Sequence, residues 1–158
     1  MNKATESYIR DLDSFFYGNN GWQAGFYQLV KDLDYKQASW KPSGERNSVW
    51  KIVKHVIFWK YSIQCNKNNK PLTSEEKQAG DWRDIPENPD ENLWQKEILL
   101  LKQTHEDFKT LIINTGEELF DINNNDSNYI REVINHDSYH AGQIGLLRVL
   151  QGLKPIEY

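Results

Sequence analysis

Apolar side chains recur three and four residues apart along this chain, and runs of alternating β-branched residues are missing. Trp94, Ile98, Leu101, His105, Phe108 and Ile112 are the clearest case, with spacings that alternate between four and three. This period matches the 3.6-residue turn of an α-helix and puts those side chains on one face; a strand would scatter them over two. The pattern predicts an all-α chain. Its first stretch covers about 5–17, with Ile9, Leu12 and Phe16 as the apolar stripe. Gly18-Asn19-Asn20-Gly21 breaks or bends it. A second stretch starts near Trp22, with Phe26, Leu29, Val30 and Leu33 on one face, and spacing alone leaves open whether the two are one helix. The next helix is expected to begin after Asn47 or Ser48, both good N-caps, and to end near Asn66. Asn88-Pro89 predicts a further start, with Asn88 as cap and Pro89 in the first helical position, running to about Asn114. The last helix is expected over about 127–151, closed by Gly152 and Pro155. Residues 34–47 and 67–87 read as connections, the second a long loop between the second and third main helices. Four main helices in 158 residues predict a four-helix bundle, with the whole chain, 1–158, as one domain.

Only 38% of the residues are apolar, yet 6 Trp, 8 Tyr and 6 Phe supply large buriable surfaces, so a core is within reach. A net charge of -4 argues against nucleic acid as the main partner, because phosphate neutralisation needs clustered Lys and Arg. No apolar run approaches the ~18 residues of a membrane span, and the first residues lack the apolar core of a signal peptide. Cys65 is the single cysteine and has no partner within the chain. Together these point to a cytoplasmic setting.

The four histidines carry the chemistry. His136 and His140 are spaced i, i+4, so one helix face presents both imidazoles a turn apart, on a stripe that continues through Val133 and Leu147. His55 shares a stripe with Ile52 and Trp59. Inward imidazoles need partners for their nitrogens. A divalent ion is one such partner, and satisfied core positions or a pH switch are others. Three imidazoles on one ion leave coordination positions open for water or substrate, the arrangement of a catalytic site. His105 lies on the stripe of the third main helix; it is a fourth ligand, an acid–base group of the pocket, or a core histidine bonded to a backbone carbonyl.

The run His136-Asp137-Ser138-Tyr139-His140-Ala141-Gly142-Gln143-Ile144 resembles the H-x-x-x-H-x-G-Q-I signature of the DinB superfamily of metal-dependent proteins. The run Ser48 to Trp59 is similar to that family's first-histidine helix, in which an aromatic follows the ligand by one turn, and Ala38-Ser39-Trp40-Lys41-Pro42 is like the connection before it. The resemblance covers about residues 22–151. It implies a four-helix bundle holding a divalent ion, Zn or Ni, on His55, His136 and His140, often as a homodimer. It supplies no fourth ligand at His105. Relatives include transferases that use bacillithiol or mycothiol, and proteins regarded as hydrolases, so the resemblance carries the metal further than the reaction.

Three functions follow as expectations. The first is transfer of a low-molecular-weight thiol to a small electrophile. The second is metal-dependent hydrolysis, which needs a base such as His105, Asp81 or Asp84. The third is a non-catalytic, metal-stapled stress-response module. Trp50 and Trp59 are candidate pocket walls, Arg148 a candidate contact for an anionic substrate group, and Gln143 and Asp137 candidate partners of the ligand imidazoles. Gly142 is expected to allow close helix–helix contact.

Overall fold

In a computed structural model, the structure describes residues 2–44, 46–121, 123 and 125–156. The described part is built from helices and turns, with no strand among the described residues. Four long helices dominate: α1 (Lys3–Tyr17), α4 (Val49–Lys67), α6 (Glu91–Thr115) and α7 (Asn125–Leu150). Three short ones join them: α2 (Phe26–Val30), α3 (Tyr35–Ser39) and α5 (Ser74–Gly80). A 3-10 turn at Gly116–Phe120 leads toward α7. No helix among the described residues is long and apolar enough to cross a membrane.

The caps follow from side-chain chemistry. Asn2, Asp34, Ser48, Thr73 and Asp90 each accept a bond from a backbone N–H three residues on, and so satisfy a donor that the first helical turn leaves free. Asp90, two residues past the expected Asn88, caps α6, so Pro89 precedes the cap. The two connections also hold more structure than expected: 34–47 contains α3 and 67–87 contains α5, both opened by a capping box that spacing of apolar residues cannot reveal. The question of one helix or two at the N-terminus is resolved at Gly18. It has a φ of 102°, and a Cβ on Gly25 would lie 2.3 Å from the Gly18 nitrogen, so the chain doubles back with its backbones touching. Trp22 lies outside any helix and is exposed.

α4 packs against both α6 and α7, and α1 packs against the same two helices. The larger core gathers around Trp50 and Trp94, whose rings are 5.2 Å apart. Both indole N–H groups are satisfied, by Glu97 Oε2 at 3.0 Å and by the Leu33 carbonyl at 2.7 Å. A smaller core joins Leu12, Phe108, Ile112, Leu119, Ile130 and Val133. This packing holds α4 and α7 face to face and fixes the distance between the histidines that they carry.

Candidate metal centre

α4 and α7 bring His55, His136 and His140 together. One nitrogen from each lies within 4.8 Å of the other two, so the group could hold a metal ion. His136 and His140 are a helical turn apart, with ring centres separated by 4.6 Å. His55 meets them from α4, its Nε2 3.1 Å from the Nε2 of His136.

The outer nitrogens decide which atoms face inward. His55 Nδ1 donates to Asp81 Oδ1 at 2.5 Å. Gln143 donates from Nε2 to the Tyr139 hydroxyl, so its Oε1 faces His140 and accepts from Nδ1 at 2.7 Å. Those hydrogens on Nδ1 leave the Nε2 atoms of His55 and His140 as lone pairs. His136 Nδ1 is 3.6 Å from Asp137 Oδ1, beyond hydrogen-bond reach but close in charge. With His55 Nε2 as acceptor, a proton on His136 Nε2 would bridge the two rings, and a cation between them would take that proton's place. Two nitrogens bound tetrahedrally to one zinc ion at about 2.0–2.1 Å are about 3.3–3.4 Å apart, and the 3.1 Å between His55 and His136 comes near that. The donor set therefore fits one divalent ion.

Burial keeps the imidazoles of His55 and His140 neutral. Loss of solvent pushes the His140 pKa down to about 4, with Gln143 opposing, and pushes that of His55 down despite Asp81. His136 is the outermost of the three, its side chain 32% exposed, which is less inward than its stripe predicts. Together the three open onto a cleft of about 460 Å³ walled by Trp59, Trp82 and Tyr139. Trp82 stacks on the His55 ring with centroids 3.8 Å apart and adopts a φ of 50°, a region that bulky residues avoid. Gly80 permits this: a Cβ there would meet the Phe58 ring at 2.0 Å, so alanine would push the Asp81–Trp82 segment away from α4.

Asp13, His105 and Glu106 form a second group that could hold a metal. A cation already occupies that place, because Lys109 Nζ lies 3.0 Å from Asp13 and 3.1 Å from Glu106. His105 is fully buried, stacked on Phe16 at 3.7 Å, and donates from Nε2 to Asp13 Oδ1 at 2.8 Å. It is thus a core histidine, held by a carboxylate and not by the expected carbonyl, and it is not among the residues that line the cleft. Its Nδ1 has no partner, so a second proton there would be an unpaired buried charge. Desolvation first, and the Lys60 ammonium second, push its pKa down to about 4.

A pH dependence follows. Below 6.5 the unfolded chain binds a proton that the folded chain refuses at His105, so stability is complete above 6.5 and falls as pH drops toward 4. At about 1.4 kcal/mol per pH unit, that interval amounts to about 3–4 kcal/mol from His105. Urea unfolding of metal-free protein at pH 7.5, 6, 5 and 4 measures it. A profile for His105→Phe as steep as the parent's would show that the loss arises elsewhere.

The remaining residues separate. Trp59 walls the cleft, whereas Trp50 is fully buried beside Trp94 and does not line it. Arg148 is buried and ion-paired to Asp32 at 2.7 Å, and lines a different cavity together with Trp22 and Gly142. A Cβ on Gly142 would meet nothing within 4 Å, so the expected close helix contact is not made there. Asp84 is exposed and paired with Lys51 at 2.8 Å. Cys65 is half-buried.

Two features escape sequence reasoning. Trp82 caps His55 from within a polar stretch, where an isolated aromatic was the available signal. Lys60 lies 2.6 Å from Asp137 Oδ2, and both side chains are buried. A lysine on the apolar stripe of α4 was the signal for that pair. Burial pushes the Asp137 carboxyl up, but Lys60 and His136 outweigh it and hold it below the usual carboxylate range. The carboxylate therefore stays charged directly behind a candidate ligand.

No protein-family model, no curated protein and no solved structure matches this chain.

Proposed function

We propose that this protein is a metal-dependent enzyme of the DinB type that transfers a low-molecular-weight thiol to a small electrophile, with His55, His136 and His140 as ligands of one divalent ion. The observation that carries this reading is the convergence of three imidazoles, two of them with Nε2 left as a lone pair by an acceptor at Nδ1. Acceptors behind ligand imidazoles fix the tautomer and raise the ligands' basicity. The mutual packing of α1, α4, α6 and α7 supports a four-helix bundle of that type. Imidazole donors suit Zn or Ni.

The ion would lower the thiol pKa and orient the sulfur. The chain's own contribution is positional. Three neutral ligands leave the ion's charge uncompensated, and Trp59, Trp82 and Tyr139 offer a mostly apolar wall to the acceptor. The sulfur lone pair forms the new C–S bond, the acceptor loses its leaving group with the bonding electrons, and the thiol proton passes to water. Hydrolysis is the weaker reading. Asp81 is the one carboxylate among the described residues of the cleft wall, and His55 engages it. Neither His105 nor Asp84 lines the cleft to serve as base.

Bacillithiol, mycothiol and glutathione, each offered with a chromogenic electrophile to metal-loaded and metal-free protein, test the proposal. Metal-dependent turnover with one thiol is the expected result. Turnover of an ester or amide panel with none of the thiols would transfer the assignment to hydrolysis.

A further inference from the structure

Next to the cleft lies a second cavity of about 140 Å³, lined by Trp59, Lys60, Ile63, Tyr129, Val133 and His136 with Glu132. Trp59 and His136 belong to both walls, so the cavity adjoins the metal centre and is shaped by one of its ligands. An apolar cavity of about 150 Å³ holds one benzene molecule. The lining is apolar apart from two charges, and each has a definite disposition. Lys60 is buried and turned to Asp137, and so is not offered to a ligand. Glu132 is exposed. Its carboxylate at the rim repels a second anion.

We infer that this side cavity receives an uncharged apolar group, about the size of one benzene ring, on a ligand whose single anionic head binds the metal centre. The inference rests on the metal-site reading above and adds the chemical class of the ligand: small aryl or short-alkyl compounds with one soft donor. Any carboxylate that a metal-bound ligand carries must lie outside the side cavity, where it would meet Glu132 and find no free cation among the described lining residues.

The test uses full-length, tag-free protein loaded with Co²⁺, in which thiolate binding is read from the cobalt charge-transfer and ligand-field bands. Phenylmethanethiol, butanethiol, ethanethiol and 3-mercaptopropionate are titrated in turn. Burying a ring in place of a methyl group should tighten binding of phenylmethanethiol roughly 30-fold over ethanethiol. 3-Mercaptopropionate should bind no better than ethanethiol, and Glu132→Gln should improve it selectively. Val133→Phe fills the cavity and should bring phenylmethanethiol within about threefold of ethanethiol. Ile63→Trp, at a half-buried wall position, does the same if Val133→Phe fails to fold. Cobalt uptake with affinity independent of the tail overturns the side cavity and leaves the metal centre standing. A protein that takes up no cobalt overturns the metal centre and this inference with it.

Discussion

Protein purified without a histidine tag should contain about one divalent ion per chain, and His55→Ala, His136→Ala or His140→Ala should each remove most of it. Loss of a partner behind a metal ligand typically costs 10–100-fold in affinity, and loss of a ligand itself should exceed that. The argument is the converging donor set: one nitrogen from each ring within 4.8 Å of the others, with Asp81 and Gln143 behind two of them. His105→Ala is the internal control. It removes a buried imidazole from the other group, where Lys109 already supplies the cation, and should leave the metal content intact. Elemental analysis of the four variants and a triple histidine variant decides the matter. A triple variant that retains the parent's metal would mean that the ion binds elsewhere.

Breaking the Lys60–Asp137 pair should cost more stability than any other single change of charge in the chain. Lys60 is 1% exposed and Asp137 3%, so removing either partner strands an ion in the interior. Such breaks cost about 3–5 kcal/mol. For a protein of this length, that corresponds to a fall in Tm of roughly 10 °C. Lys60→Met and Asp137→Leu should each show it, and the double variant should recover most of the loss, because a well-packed apolar pair is often no less stable than the ions it replaces. Two further readings separate the roles. Removing Lys60 takes away a charge that depresses His105, so the His105 pKa should rise from about 4. Removing Asp137 takes away the carboxylate 3.6 Å from His136 Nδ1 and should weaken metal binding as well as stability. Single variants that melt within a degree or two of the parent would show that the pair carries little of the α4–α7 contact.

The helices were legible because apolar spacing and capping residues report on local backbone geometry. The His136/His140 pair was legible for the same reason: two residues four apart on a helix share a face whatever else the chain does. The caps that were misplaced, Asn88 instead of Asp90, lie where two capping residues compete within one turn. Short α3 and α5 were missed because five and seven residues hold too few turns for a period to register.

What the sequence determined by itself was thus an all-α chain, the faces of its long helices, and the pairing of His136 with His140 on one of those faces. Only the tertiary structure decided which partners those faces meet. Trp50 and Trp59 stand nine residues apart, on opposite sides of one helix, and packing decides that one fills the core beside Trp94 while the other walls the cleft. His105 has the same inward signature as the candidate ligands, yet it faces Asp13, 92 residues away. Asp81 reaches His55 only because α5 folds back over α4 with Gly80 against Phe58, and Asp137 stays charged in the interior only because α4 delivers Lys60 to it. Periodicity records that a side chain is buried. Which atom it is buried against depends on the packing of helices distant in the chain, and that leaves no period in the sequence.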